Sequence, residues 1–597
     1  MHHNTDIHQK LQALRQLMEK HQVDYYYVPS TDAHKNEYVP AVWQRRAWIS
    51  HFTGSAGDVL VGRDKAYLWT DPRYFLQATQ ELDPALYQLM KIGQGETSPI
   101  DVWLNSHHQP LIGATDPKVI SMVQAARIQS ALQDNGGQLR SIEENWVDSL
   151  WQDQPKIPCT PIRIEDIAYT GCSTRDKLAM VRKALREKNA TAHAITVLDA
   201  IAWLLNIRGN DVIYNPLVIS YVIVTQDKAT LFVNLDKITD EDRLYFQQQH
   251  VDVSPYDAFP TALQALRGMV WVDPDTASWW VEQQLQNAVL LKTASPITLM
   301  KAIKNPVEQA GAREAHRLDA LAVIQFLQWL EEHWQEGVTE LSAAHQLAMF
   351  RRNNPKCLDL SFPSISGFAA HGAIVHYAVT QETDIPIDNS SLYLIDSGGQ
   401  YHEGTTDITR TIHLGQPTDQ QKRHYTLVLK GHLAIRHLIF PDGTCGEHIN
   451  ALAHMPLWQE ALDYGHGTGH GVGAHLCVHE GPHAITSRNT GIPLKPGMIV
   501  SNEPGVYLEN HYGIRIENLC LVKEHCQPSD SLTGHGPFYT FEDLTWVPYC
   551  HKLIDKSLLA PQEVRWIDDY HQHTGQILMN DLPAAARQWL KKAVAPL

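Results

Sequence analysis

The 597-residue sequence predicts an α/β chain of mixed α+β character with three domains. Two related α/β domains come first, and the third, built of short strands between glycine turns, carries the chemistry. Three observations predict this. A helix-then-strand unit occurs twice in the first half. A joint follows each copy, one where Pro155, Pro158 and Pro161 cluster and one at Ser295-Pro296. From residue 361 onward, apolar strands deliver acidic residues into glycine-rich turns. At about 100–200 residues per domain the length accommodates three such units.

Taken in order, Leu11, Leu14, Leu17 and Met18 recur at helical spacing and predict an N-terminal amphipathic helix. Residues 23–28 read as a buried strand ending at Pro29-Ser30, and Tyr67-Leu68-Trp69 as another, stopped by Asp71-Pro72. The order recurs with Leu178, Val181 and Leu185 on a helix and Ala194-Ile195-Thr196-Val197 as a strand. Each copy runs on into a tryptophan-bearing helix start and a glycine turn, at 48–54 and 203–209, which makes a weak internal repeat. The expected domains are 1–156, 157–300 and 301–597. The third opens on a long helix capped by Asn305, with Pro306 in its first turn and Leu318, Leu321, Ile324 and Leu327 as its apolar stripe. Further helices are expected near 420–438, 447–462 and 584–594.

Composition limits the partners. With 49 Lys+Arg against 66 Asp+Glu the formal net charge is −17, and phosphate backbones would repel such a chain. A hydrophobic content of 43% with 19% charged residues is that of a globular protein rather than a disordered one. No apolar run approaches the ~18 residues of a membrane span. The start, Met1-His2-His3-Asn4-Thr5-Asp6, lacks the basic-then-apolar layout of a secretory signal. Eight cysteines without a C-x-x-C pair read as reduced thiols. The expectation is a cytoplasmic protein with no nucleic-acid and no membrane partner.

The carboxylates define the chemistry. Leu392-Tyr393-Leu394-Ile395 is an apolar strand that delivers Asp396 into Ser397-Gly398-Gly399. Asp407-Ile408-Thr409-Arg410-Thr411-Ile412 alternates like a half-buried strand with Asp407, Thr409 and Thr411 on its polar face. The two strands read as a hairpin that sets both acids on adjacent strands, roughly 5 Å apart. Met498-Ile499-Val500 leads to Glu503, and a strand over 513–517 is expected to put Arg515 and Glu517 on one face. Four acids delivered this way repel one another unless cations lie between them, and two divalent metals supply the charge. The run His466-Gly467-Thr468-Gly469-His470-Gly471-Val472-Gly473 is too glycine-rich for a helix, so one or both of its histidines can face the metals. His479-Glu480-Gly481-Pro482-His483 matches H-E-x-x-H, but Gly481 and Pro482 break the helix that a zincin site requires. Gly469-x-Gly471-x-x-Ala474 lacks the βαβ context of a dinucleotide fingerprint, and there is no G-x-S-x-G and no P-loop.

These motifs resemble the Xaa-Pro aminopeptidase (aminopeptidase P) family of pita-bread metallopeptidases. The likeness lies in Leu394-Ile395-Asp396-Ser397-Gly398, Gly404-Thr405-Thr406-Asp407-Ile408-Thr409-Arg410, residues 466–473, Asn502-Glu503-Pro504-Gly505 and Ile514-Arg515-Ile516-Glu517-Asn518. It extends to Thr31-Asp32-Ala33-His34, to Trp69-Thr70-Asp71-Pro72-Arg73-Tyr74-Phe75 and to residues 203–212, and so covers nearly the whole chain. The resemblance implies the long three-domain cytosolic form, with two creatinase-like N-terminal domains before a pita-bread catalytic domain. It implies metal ligands at Asp396, Asp407, His470, Glu503 and Glu517, holding two divalent ions, typically Mn²⁺. One imidazole and four carboxylates also suit a hard ion of that kind on donor chemistry alone. It further implies substrate-binding or proton-handling roles for His376, His466 and His479, and a substrate contact for Arg73.

The implied reaction releases the N-terminal residue from small peptides with proline second, through a bridging hydroxide held between the two ions. His479 would donate to the oxyanion, Glu503 would also shuttle a proton, and Arg515 would balance a neighbouring acid. The family is commonly dimeric, so a homodimer is expected. The segment after Asp543, with Trp566, Tyr570 and Trp589, either serves that contact or packs. Prolidase, which cleaves Xaa-Pro dipeptides with the same metals, is the nearest alternative. A pita-bread binding protein without activity is the other, and relatives of that kind lose metal ligands that are all present here.

Overall fold

The computed structural model describes residues 2–94, 97–526 and 536–597, so Met1 of the N-terminal hexapeptide lies outside the described residues. The chain forms two compact units. The first contains residues up to Glu165 together with Cys172–Thr298, and the second contains Asp166–Gly171 and Leu299–Leu597.

In the first unit the opening helix, His2–Lys20, buries Ile7, Leu11, Leu14 and Met18 along one face, the spacing the sequence predicts. Six strands follow: β1 (Tyr25–Val28), β2 (Asp58–Gly62), β3 (Ala66–Thr70), β4 (Tyr87–Lys91), β5 (Ile112–Thr115) and β6 (Gln138–Ser141). They form a sheet in the order β4-β3-β2-β1-β5-β6. Six more build a second sheet: β7 (Ala192–Ile195), β8 (Ser220–Thr225), β9 (Ala229–Val233), β10 (Val251–Pro255), β11 (Met269–Val272) and β12 (Val289–Lys292). Its order, β10-β9-β8-β7-β11-β12, is that of the first sheet displaced by six strands.

The pairing senses agree too. In both sheets the two central hairpin contacts are antiparallel and the three outer contacts parallel. Parallel neighbours need a crossover, which the helices Met122–Gln133 and Trp279–Gln284 supply in corresponding places. The weak helix-strand repeat of the sequence is therefore a repeat of whole-sheet topology.

The longest helix of the second unit is Pro306–His333. The Asn305 side chain accepts from the Val307 and Glu308 N–H groups, and Glu308 accepts from the Asn305 N–H, which completes a capping box. Inside this helix Asp319 is buried, paired bidentately with Arg351 at 2.8 and 2.9 Å and accepting from the Tyr401 hydroxyl. Two further helices, Asp419–Arg436 and Gly446–Trp458, start within a residue of expectation, and both end earlier. They meet at Gly431, where a Cβ would lie 2.2 Å from the Ala453 carbonyl oxygen, so only glycine allows that approach.

Strands β13 (Ile365–Phe368), β14 (Leu392–Ser397) and β15 (Ile408–His413) form an antiparallel sheet with β14 central. Beyond them lie β16 (Ile499–Asn502), β17 (Gly505–Leu508), β18 (Tyr512–Arg515), β19 (Asn518–Cys526) and β20 (Phe538–Asp543). The strand expected over 513–517 is broken after Arg515. The Glu517 N–H donates to the Thr409 carbonyl of β15 instead of extending the β17–β18 ladder, and β19 begins at Asn518. The C-terminal helices, Pro561–Leu578 and Ala584–Ala593, pack into this unit. Tyr570 is buried, accepts from Arg410 and donates to the Thr545 carbonyl, and Trp566 stacks on His437 at 4.1 Å between ring centres.

Candidate metal centre

Local structure explains how the four acids meet. All six residues of β14 are buried, as an apolar strand in the middle of a sheet must be, and Asp396 is carried near its end. Asp396 faces Thr409 of β15 in register, and Asp407 immediately precedes β15. The connection is longer than a simple hairpin, because a small ladder at Gly399–Tyr401 and Gly404–Thr405 intervenes. Glu503 directly follows β16, and its N–H donates to the Thr468 carbonyl. Glu517 sits in the two-residue link between β18 and β19. His470 lies on the two-residue strand Gly469–His470, paired with Ala484–Ile485.

Ligating atoms of Asp407, His470 and Glu517 all lie within 4.8 Å of one another. His470 Nε2 is 3.5 Å from Asp407 Oδ2 and 3.5 Å from Glu503 Oε1. The tautomer follows from the other nitrogen: Nδ1 sits 2.9 Å from the Gly471 carbonyl and must donate to it, which leaves the Nε2 lone pair aimed at the carboxylates. Thr409 Oγ1 donates to Glu517 Oε2 at 2.8 Å, and Ser501 Oγ donates to Glu503 Oε1 at 3.1 Å while accepting the His470 N–H.

Arg515, 1% exposed, donates to Asp396 Oδ2 at 2.7 Å, to Thr409 Oγ1 and to Tyr507 Oη. It forms an ion pair with one of the four acids. Four carboxylates and one guanidinium still leave a strong excess of buried negative charge. Burial, followed by the mutual repulsion of the acids, holds the Asp407 and Glu517 carboxyls well above the usual range, and burial raises Glu503. Asp396 Oδ1 and Glu517 Oε1 are buried without a hydrogen-bond partner. Unsatisfied oxygens, an imidazole lone pair and excess negative charge at one point are what a hard divalent cation would satisfy, so these residues fit such ions.

The histidines divide into two groups. His479 stands edge-on to His470 with ring centres 4.4 Å apart, and His376 lies nearly parallel to His479 at 6.5 Å. His466 is held elsewhere. Its Nδ1 donates to the Gly467 carbonyl, so its Nε2 accepts from Tyr507 Oη at 2.8 Å, and Tyr507 in turn accepts from Arg515. His466 thus reaches Asp396 through a tyrosine and an arginine. Tyr507 and Ser501 are contributors that sequence reasoning missed; Thr409 was legible only as a polar-face residue. In the first unit Arg73 pairs bidentately with Asp71 at 2.8 and 2.7 Å. The H-E-x-x-H residues are not helical, and His483 instead donates from Nε2 to the Ile499 carbonyl.

Comparison with known proteins agrees with this geometry. A model of metallopeptidase family M24 matches residues 310–524, and one of the C-terminal region of the same peptidases matches 537–597. Models of the creatinase/prolidase N-terminal domain match 10–150 and 153–308. Aminopeptidase P1 of Lotus japonicus is 38% identical, over 98% of this chain and 99% of that protein. A probable Xaa-Pro aminopeptidase P of Neurospora crassa is 40% identical over 98% of this chain and 89% of its own length. The crystal structure of X-prolyl aminopeptidase from Caenorhabditis elegans, a cytosolic enzyme with a di-nuclear active site, is 33% identical and superposes with a TM-score of 0.95. That match covers 99% of this chain and 100% of the other. With two creatinase-type α/β domains ahead of a pita-bread domain, the chain belongs to metallopeptidase family M24, in its Xaa-Pro aminopeptidase branch.

Proposed function

We propose that this peptidase releases the N-terminal residue from small peptides with proline at the second position, using two divalent ions, Mn²⁺ by preference. The observation that carries the reading is the cage of Asp396, Asp407, His470, Glu503 and Glu517, three of them buried, with orphaned oxygens at Asp396 Oδ1 and Glu517 Oε1. Those five side chains would hold the metals. When bound, such ions would supply Lewis acidity toward the scissile carbonyl and would bring the pKa of a bound water from 15.7 toward ~7.

The chain's own residues do the rest. Glu503, steadied at Oε1 by Ser501, takes the proton of the attacking water and passes it to the departing proline nitrogen. Like any amide nitrogen it leaves as an amine only once protonated, and the proton carried by Glu503 meets that need. His479, in the row with His376 and His470, donates to the developing oxyanion, and His376 orients the substrate beside it. His466, fixed through Tyr507, also orients the substrate. Arg73 is assigned to the substrate by family resemblance, and a rise in KM for Arg73→Ala with kcat retained tests it.

The same reading takes the domains as 1–156, 157–300 and 301–597, the assembly as a homodimer and the location as the cytoplasm, where the nematode enzyme is described. The deciding experiment compares hydrolysis of an Xaa-Pro-Xaa tripeptide with that of an Xaa-Pro dipeptide in the presence of Mn²⁺. Tripeptide cleavage is expected, and a strict dipeptide preference would make the protein a prolidase. Purification without chelator should leave about two transition-metal ions per chain; no bound metal and no rescue by Mn²⁺ would remove the reading.

A further inference from the structure

We propose that a buried ionic triad, Lys301, Glu480 and Lys304, positions His479 for the reaction, an inference that rests on the peptidase reading above. Glu480 Oε1 accepts from Lys304 Nζ at 2.8 Å, and Lys301 Nζ lies 3.0 Å from Oε2. The three side chains are between 1% and 4% exposed. Two ammonium groups therefore share one carboxylate out of reach of water. Burying ions costs several kcal/mol each, and apolar residues of the same volume commonly serve stability as well or better. An ionic arrangement at such a place is best understood as fixing geometry.

What it fixes is the backbone that directly follows His479. The Glu480 N–H donates to the Gly471 carbonyl at 2.8 Å, next to His470. A Cβ on Gly471 would sit 2.1 Å from the Glu480 carbonyl oxygen, and one on Gly473 would sit 2.9 Å from Glu480 Oε2. The glycine-rich run is thus moulded onto Glu480, which ties the segment bearing His479 to the segment bearing His470. Three residues further on, His483 donates to the Ile499 carbonyl of β16 at 2.7 Å and anchors the other end.

The lysines are themselves immobile. The Lys304 N–H donates to the Gly497 carbonyl, Lys304 Nζ also donates to the Lys301 carbonyl, and the next residue is the capping Asn305. His479 accordingly projects toward His470 from a loop clamped at Glu480 and His483. The glutamate of the failed H-E-x-x-H match is here a positioning residue, which acts through the histidine before it.

A double-mutant cycle tests this. Glu480→Gln should lower kcat on an Xaa-Pro-Xaa tripeptide about 10–100-fold with KM within about threefold, the scale of a small misplacement of a reacting group. In a His479→Asn background the same change should cost less than about threefold, because the group it positions is gone. Lys301→Met leaves one balanced Lys304–Glu480 pair, so it should keep the thermal midpoint and still lower kcat several-fold; it serves if Glu480→Gln does not fold. Independently of turnover, the His479 ring ¹H–¹³C resonance, identified by its loss in His479→Asn, should shift or broaden in Glu480→Gln and Lys301→Met. Equal losses in both backgrounds, wild-type kcat in a folded variant, or an unmoved resonance would each overturn the assignment. Failure of every form to cut Xaa-Pro peptides would instead overturn the peptidase reading, with the resonance still deciding whether the triad holds His479.

Discussion

At the scale of single residues, the site is governed by groups that hold other groups. Thr409 donates its hydroxyl hydrogen bond to Glu517 and accepts one from Arg515, so one small side chain orients an acid of the proposed cage together with the arginine that pairs with Asp396. Thr409→Val should weaken metal binding about 10–100-fold, as loss of an outer partner typically does, while the fold persists. Titration of the apo-protein with Mn²⁺ reads this directly. Replacing Asp407 with Asn removes a proposed ligand and should abolish turnover with little change in circular dichroism. Retained activity would mean that the cage is not the catalytic centre.

Asp319 supplies a pH-dependent case away from the site. Burial works against its charge, but Arg351 overcomes this and holds the carboxyl below its ordinary 3.8. A carboxyl lowered in the folded state stabilises above its unfolded pKa, and that contribution is lost as pH falls through the folded value. Asp319→Asn should therefore cost about 3–5 kcal/mol at neutral pH, because Arg351 is left buried and uncompensated. The deficit should shrink toward acid, which urea denaturation at several pH values can follow.

Elements show what a sequence carries and what it does not. The Asn305 cap is legible because the whole device, Asn305, Pro306 and Glu308, lies within four residues; Asn305→Ala should cost about 0.5–2 kcal/mol, read from the thermal midpoint. β14 and β15 are legible for the same local reason, an apolar run and a polar alternation. Their ladder was expected too, but the excursion at 399–405 was not, since the turn residues Gly398 and Gly399 mark a turn without saying how far the chain travels.

The break after Arg515 was illegible for a different cause. The residues that end that strand exchange hydrogen bonds with Thr409 and Thr411, more than a hundred positions earlier, and no local pattern records them. Tyr507 is similar, because its partners His466 and Arg515 flank it in space and not in sequence. Gly513 gives an element-scale check. A Cβ there would lie 1.7 Å from the Gly372 carbonyl oxygen, so Gly513→Ala should displace β18 and lower both stability and metal content. Unaltered metal content would show that the strand tolerates the shift.

For the whole molecule, stability should respond both to metal and to pH. Ions that bind only the folded state stabilise it by about 2.7 kcal/mol at a hundredfold excess over Kd, so chelation should lower the melting temperature of the second unit and Mn²⁺ should restore it. Histidines act in both units. Burial pushes His193 in the first down to about 4 and His571 in the second down to about 3, from an ordinary 6.5. Because the unfolded chain binds the extra protons between those values and 6.5, stability should rise with pH across that window in each unit. His193→Gln should flatten the slope of the first unit alone, which distinguishes local from global acid unfolding.

The short segment Asp166–Gly171 sits in the second unit although 127 residues of the first unit (Cys172–Thr298) follow it before the rest of its own unit begins. Its partner is waiting far downstream: Asn305 Nδ2 donates to the Thr170 carbonyl. On a ribosome adding 5–20 residues per second, that segment is made roughly 7–27 s before Asn305 exists. The second six-stranded sheet is made in the interval. The order of synthesis therefore makes the catalytic half the last to mature, and a nascent chain stalled before residue 305 would hold a finished repeat with one loose stitch.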